Sequence, residues 1–156
     1  MDLKLKWHTP RPLIDSSSKH GIYTVDLDDI PNVPGIYIFF RVYKTKHEAL
    51  YIGQTIRLST RIREQLHNDT LMTGIQNATR GSRQLVFGAF NAKNGQAKTS
   101  QKLEQSLLRM EHALIRHYLS LGDQLLNVRG ARVVKHSLTS DRSSVRKFIP
   151  RVLYFE

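Results

Sequence analysis

GIYIFFRVYKTKHEALYIGQTIRLSTRIREQLH, residues 35–67, predicts a strand, a polar turn, a second strand and a helix. Residues 35–43 are rich in aromatic and β-branched side chains, which favour strands, and residues 49–53 form a second short strand. Alternate side chains of a strand share a face. If the two strands pair as a hairpin, Tyr37 and Tyr51 lie on one face as cross-strand neighbours.

The rest of the pattern predicts helices that flank this hairpin. Residues 56–68 and 99–121 have apolar residues at helical spacing, and residues 84–90 alternate as a third strand. Residues 69–83 are polar and predict a loop or a broken helix. We therefore expect an α/β (α+β) fold with a three-stranded antiparallel sheet flanked by helices. The predicted apolar stripes are Leu58, Ile62 and Leu66, and Leu103, Leu107, Met110, Leu114 and Leu121.

Length and composition predict one soluble domain with appended segments. The chain has 156 residues, and we expect an N-terminal extension over 1–30, a domain over 31–130 and a basic C-terminal extension over 131–156. No apolar run approaches the ~20 residues that span a bilayer, and residues 1–10 lack the apolar region of a signal peptide. There is no cysteine. We expect a cytoplasmic protein, with the nucleoid or the nucleus as alternatives, and no membrane partner.

The charge balance predicts a polyanionic partner. Lys and Arg number 24 against 13 Asp and Glu, which gives a net charge of +11. Nucleic acid is the first candidate for such a partner, because a large basic excess reports on binding rather than on fold. The candidate contact residues are Arg57, Arg61, Arg63, Arg129 and Arg132.

Glu111 stands out because it falls inside the apolar stripe of the long helix. At ~100° per residue it lies about 40° from Leu107 and from Ile115. A buried carboxylate needs a partner, because an unpaired buried charge is costly. A divalent ion is one candidate, since Mg²⁺ accepts a single carboxylate together with waters and a phosphate. Arg61 or another base is the alternative. Glu104 lies near the same line, but the helix dipole explains a glutamate in the first turn.

Five residues in order resemble the GIY-YIG endonuclease superfamily, and the resemblance covers about residues 30–130. It includes both name-giving tripeptides, at 35–37 and 51–53, and an arginine ten residues after the second tyrosine. The resemblance implies metal-dependent hydrolysis of a nucleic-acid phosphodiester, with DNA as the first candidate substrate. The implied catalytic residues are Tyr37, Tyr51, Arg61, Glu111 and Asn127.

The resemblance also implies a role for each residue. Glu111 would hold one Mg²⁺ or Mn²⁺, and Tyr37 would orient or deprotonate the attacking water with support from Tyr51. Arg61 would stabilise the charge on the phosphoryl group, a task that suits a planar guanidinium. Asn127 would hold the site from its far side.

The chain departs from the family pattern at position 65. Family members often have His or Tyr four residues after the arginine, whereas Gln65 cannot titrate. A phenol has a pKa of ~10, so a tyrosine base needs help. We expect the metal and Arg61 to lower the pKa of Tyr37, and the possible assisting residues are His47, Gln65 and His67.

Two other functions remain open on the sequence. One is a nucleic-acid-binding module without cleavage, to which Gln65 gives weight. The other is a protein-interaction domain whose charge is incidental. The sequence predicts neither the target nor the oligomeric state.

Overall fold

The fold is built on an antiparallel sheet with helices on both faces. The computed structural model describes residues 3–16, 21–78, 80–90, 100–129, 136–139 and 152–155. The strands are β1 Leu5–Trp7, β2 Arg11–Pro12, β3 Ile14–Asp15, β4 Tyr23–Thr24, β5 Gly35–Tyr43, β6 Lys46–Thr55, β7 Ser82–Phe90, β8 His136–Thr139 and β9 Val152–Phe155. The helices are α1 Leu58–Leu66, α2 Asp69–Gln76, α3 Ser100–Ser120 and a short 3-10 helix, Leu126–Arg129.

The main sheet has five strands, so the prediction of three was wrong in number. The three predicted strands form its centre in the order β7-β5-β6, and β1 and β2 both pair with the outer side of β7. Leu5 lies opposite Phe90, and Arg11 lies opposite Leu85. Segments of two or three residues beside prolines are too short to show an alternating pattern, which is why the sequence did not reveal them. Two smaller sheets pair β3 with β4 and β8 with β9.

The hairpin of β5 and β6 confirms the predicted faces. Tyr37 pairs with Gly53 and Phe39 with Tyr51, so the two tyrosines are diagonal neighbours on one face. Beyond this point Phe40 pairs with Ala49, and the shift places a β-bulge at Leu50. The bulge changes which backbone groups of β6 point away from β5.

Two helical layers enclose the sheet. The face of Tyr37 and Phe39 packs against α1 and α2, and the opposite face packs against α3. Leu58, Ile62 and Leu66 are buried as predicted. Leu121 is 61% exposed, against prediction, because α3 ends at Ser120 and Gly122 turns the chain with a φ of +89°.

Residues 69–83, which were predicted to form a loop or a broken helix, contain helix α2.

Asparagine side chains bind backbone N–H groups in the first turns of α1 and α2. The Oδ1 of Asn32 accepts from the backbone N–H of Thr60 at 3.2 Å, in the first turn of α1. Asn68 precedes α2, and its Oδ1 accepts from the N–H of Leu71 at 3.1 Å. Both contacts satisfy backbone donors that have no partner within their helix.

Strand β6 is an edge strand whose outward backbone groups are bound by side chains. The Oδ2 of Asp123 accepts from the Ala49 N–H at 2.8 Å, and the Nδ2 of Asn127 donates to the Ile52 carbonyl at 2.5 Å. Such contacts cover a row of groups that would otherwise be open to another chain. The C-terminal part of α3 and the residues after it are thereby fixed to β6.

Within the described residues, none of the helices has both the length and the hydropathy needed to cross a membrane.

Asp123→Ala is expected to lower the free energy of unfolding by about 1–3 kcal/mol, because it leaves the buried Ala49 N–H without an acceptor. Asp123→Asn keeps an acceptor oxygen and should lose less. Urea denaturation of the three proteins measures the difference. Equal stability of the alanine variant and the wild type would contradict the proposed role of this contact.

Candidate active site

The site is organised around Gly53, over which the phenol of Tyr37 lies. A Cβ at position 53 would overlap the Tyr37 hydroxyl and lie 2.5 Å from its Cζ. The glycine therefore lets the side chain of Tyr37 extend from β5 across β6. Gly35 has a similar role, because a Cβ there would overlap the Gly88 carbonyl and lie 2.6 Å from Leu58 Cδ1. Both glycines permit the close approach of a neighbouring side chain or backbone.

The two tyrosines form a stacked pair held by Gln65. Their ring centroids are 6.1 Å apart with 24° between the planes. The Nε2 of Gln65 donates to the Tyr37 hydroxyl at 2.9 Å and reaches the Tyr51 hydroxyl at 3.4 Å. Gln65 is only 3% exposed, so a polar side chain is buried where the family pattern often has a titrating one. Gln65 lies three residues after Ile62, so both lie on the same face of α1, and this helical spacing could have predicted its burial.

The pKa of Tyr37 in the protein alone lies well above its ordinary value, although Arg61 lowers it in the expected direction. Burial is the main cause, because it penalises the charged phenolate, and the neighbouring phenol of Tyr51 adds to the increase. The hydrogen bond from Gln65 and the guanidinium of Arg61 act in the opposite direction, but they do not outweigh burial. In the protein alone Tyr37 is therefore a neutral phenol at physiological pH.

Arg61 lies on α1 at the edge of an open cleft of about 350 Å³. Its guanidinium interacts with the Tyr37 hydroxyl and forms an ion pair of 3.0 Å with Glu64. Arg61 is exposed, which leaves donors available to a ligand. The cleft is lined by Gln54, Thr55, Ile56, Arg57, Thr60, Arg61, Glu64 and Glu104.

Glu111 and Asn127 meet the strand β6 on either side of Gly53. The backbone N–H of Gln54 interacts with the Glu111 carboxylate, and Asn127 donates to the Ile52 carbonyl. The Oδ1 of Asn127 is buried and has no hydrogen-bond partner among the residues that the structure describes. Burial raises the pKa of Glu111 to about 7, and the Gln54 amide lowers it in part. Glu111 does not line the cleft itself, but Gln54 does.

Glu111 is the predicted site carboxylate, and Arg61 is not its partner. Arg61 forms its ion pair with Glu64 instead. No cluster of three His, Cys, Asp or Glu residues occurs in the described part of the chain. Glu111 could serve as a ligand to a hard cation such as Mg²⁺, which accepts a single carboxylate together with water and phosphate.

The other predicted residues lie farther from the phenols. His47 pairs with Val42 near the hairpin turn, and at ~3.3 Å per residue it lies roughly 20 Å from Gly53. His67 is exposed, and its Nδ1 lies 2.8 Å from the Arg63 carbonyl. Of the three possible assistants, Gln65 is thus the one seen in contact with both phenols.

The predicted basic contacts divide into two groups. Arg57 and Arg61 line the cleft, and Arg63 is exposed on the last turn of α1. Arg129 ends the 3-10 helix, but its side chain lies outside the described part of the chain, as does the whole of Arg132.

No protein-family model, curated protein or solved structure matches this chain.

Glu111→Gln is expected to stabilise the metal-free protein at pH 8 and to have little effect near pH 4. The folded-state pKa of about 7 exceeds the ordinary 4.5, so between these values the unfolded chain gives up its proton first. Stability from this group is therefore lost as the pH rises from 4.5 through 7, and the amide avoids the loss. Melting temperatures of both proteins in EDTA at the two pH values test this. An equal difference at both would contradict the assigned burial of the carboxylate.

Proposed function

We propose that this protein is a metal-dependent endonuclease of the GIY-YIG type that hydrolyses phosphodiester bonds in nucleic acid, with DNA as the substrate. The supporting observation is the convergence on residues 52–54 of β6. The phenol of Tyr37 covers Gly53 from one side, and Glu111 and Asn127 bind the backbone of Gln54 and Ile52 from the strand edge. Residues that are far apart in the chain thus meet at one tripeptide.

Two arginines of the cleft are candidates for contact with a nucleic-acid backbone. Arg57 and Arg61 line it together with Gln54, Thr55 and Thr60, and two carboxylates, Glu64 and Glu104, line it as well. Arginine forks recognise phosphate oxygens through paired hydrogen bonds. The net charge of +11 supplies long-range attraction for a polyanion. DNA rather than RNA follows from the resemblance of the five site residues to the endonuclease family.

Each side chain has a role that matches its contacts. Arg61, exposed on the cleft side, donates to the phosphoryl oxygens and stabilises the charge that develops on them. The Tyr37 hydroxyl orients the reacting groups. The oxygen of the attacking water forms the new bond to phosphorus, the bond to the leaving ester oxygen breaks, and the proton given up by the water ends on that leaving oxygen. Tyr51 stacks on Tyr37 and shares the Gln65 amide, which fixes both phenols.

Glu111 would hold the divalent cation, and Asn127, which binds the Ile52 carbonyl on the same strand edge, would offer a neutral oxygen. When bound, Mg²⁺ or Mn²⁺ supplies a Lewis acid that stabilises negative charge on the phosphate and the leaving oxygen. Because burial raises the pKa of Glu111 to about 7, occupancy by the cation below that pH displaces a proton.

A nucleic-acid-binding module without cleavage is the second candidate, and the state of Tyr37 favours it. Its phenol is 1% exposed and neutral, and its nearest side-chain partner is an amide that cannot accept a proton at physiological pH. Such a protein would bind DNA with the same salt dependence but would leave it intact.

Supercoiled plasmid incubated with the wild type is expected to be nicked or linearised in Mg²⁺ and left intact in EDTA. Glu111→Gln should abolish cleavage because it removes the charge that holds the cation, whereas it should retain DNA binding. Glu104→Gln, on the same helix, removes a carboxylate that lines the cleft but makes no contact with β6 in this proposal, and its effect should be mild. Loss of cleavage in Glu104→Gln with full activity in Glu111→Gln would show that the metal ligand is misassigned.

Duplex, branched, flapped and single-stranded oligonucleotides in the same buffer then identify the preferred substrate. Binding of all of them without cleavage in Mg²⁺ or Mn²⁺ would favour the binding module over the nuclease.

Arg61→Ala and Tyr37→Phe are each expected to lower the single-turnover rate by roughly a hundredfold or more, with a much smaller loss of affinity. Both changes remove groups that act on the phosphoryl centre during transfer. Arg109→Ala, an exposed arginine on α3, and Tyr43→Phe, an exposed tyrosine, serve as matched controls. Affinity is measured in EDTA and the rate after adding Mg²⁺. A defect confined to affinity would assign both residues to substrate binding alone.

A further inference from the structure

Gln65 is the most unusual group of the site, because it is a buried amide between two phenols. It is 3% exposed, and its Nε2 contacts the oxygens of both Tyr37 and Tyr51. A buried amide is costly unless its hydrogen-bonding groups are satisfied. Here its contacts extend from the phenols to the start of α2.

Asn68, which does not contact the phenols in this network, determines which end of the Gln65 amide faces them. Asn68 caps α2 with its Oδ1, which accepts from the Leu71 N–H at 3.1 Å. The Nδ2 of Asn68 therefore faces the other way and donates to Gln65 Oε1 at 3.2 Å. With its oxygen engaged, Gln65 presents its NH₂ group to the phenols. The helix cap thus determines which end of the amide meets Tyr37.

As a consequence, the Tyr37 oxygen accepts hydrogen bonds rather than donating to its protein neighbours. It accepts from Gln65, and the guanidinium of Arg61, itself paired with Glu64, is the charged group that faces it from α1. Tyr51 is the titratable group that faces it from β6. Donors aimed at a phenol oxygen favour its deprotonated form and leave its own proton free to point elsewhere.

We propose that Gln65 is a positioning residue for cleavage, whose amide keeps the oxygens of Tyr37 and Tyr51 as hydrogen-bond acceptors and directs the Tyr37 proton toward the substrate. This inference rests on the proposed nuclease function. Unlike a histidine or a tyrosine at the same place, the amide performs this task without changing its charge across the working pH range.

Gln65→Glu tests the proposal because it keeps the shape and the oxygen that accepts from Asn68, and it replaces the NH₂ donor with an oxygen. The single-turnover rate at pH 8 is expected to fall by about tenfold or more, with DNA affinity in EDTA retained. The introduced carboxyl can donate only while protonated. The rate defect should therefore shrink as the pH falls, which a merely structural defect would not do. Gln76→Glu, an exposed residue at the end of α2, is the charge-matched control.

Asn68→Asp is a second test that leaves both phenols and Gln65 in place. Aspartate still caps α2, but it offers no donor to Gln65 Oε1. The Gln65 amide is then expected to turn its NH₂ toward the new carboxylate and its oxygen toward the phenols, which lowers the rate. If Gln65→Glu does not fold, this variant decides the question. Wild-type rates in Asn68→Asp, or in a folded Gln65→Glu, would overturn the proposal.

NMR of protein with ¹³Cζ-labelled tyrosine, in the absence of DNA, separates this inference from the proposed function. Tyr37→Phe and Tyr51→Phe assign the two signals. Both are expected to shift in Gln65→Glu and in Asn68→Asp, but not in Gln76→Glu. Unchanged signals overturn the positioning role even in an active nuclease. Shifted signals in a protein that never cleaves DNA would uphold the hydrogen-bond geometry and remove the nuclease function.

Discussion

The missing side chain at Gly53 is the constraint on which the site depends. The phenol of Tyr37 occupies the space that a Cβ would take, and this places its oxygen within reach of Gln65 on α1 and near the edge of the sheet. The neighbouring backbone of Ile52 and Gln54 then binds Asn127 and Glu111. One short piece of strand therefore touches residues from β5, α3 and the 3-10 helix, and Tyr37 links it to Gln65 on α1.

The open edge of β6 explains why polar residues occur on the buried side of α3 and just after it. An edge strand needs partners for its outward N–H and C=O groups. Glu111, Asp123 and Asn127 supply them at Gln54, Ala49 and Ile52. The β-bulge at Leu50 matters here, since it turns the Ala49 N–H to the same edge as the other two groups. Two of the three residues that close this edge, Glu111 and Asn127, are therefore also residues proposed for catalysis.

The spacing of apolar residues along the sequence predicted which face of each strand or helix is buried. The alternation in β5 and the apolar stripe of α1 gave the correct faces, and the position of Glu111 inside the stripe of α3 signalled a half-buried carboxylate. Contacts between elements could not be predicted in this way. Three hydrogen bonds join residues whose types are common on protein surfaces. They link Asp123 to Ala49, Asn32 to Thr60, and Asn68 to Gln65. Nothing in local sequence distinguishes them.

The same reasoning explains why the burial of Tyr37 was not predicted. From the sequence, the nearby arginine was visible and the burial was not. In the protein alone the cost of burying the phenolate exceeds its attraction to the guanidinium. The negative charge of a phosphate would disfavour the phenolate further, so a site that uses this phenol is served best by its neutral form. The neutral amide at position 65 suits that arrangement. It orients the phenol oxygen without adding a charge that would compete with Arg61 or repel the phosphate, and its direction is fixed by a helix cap that does not titrate.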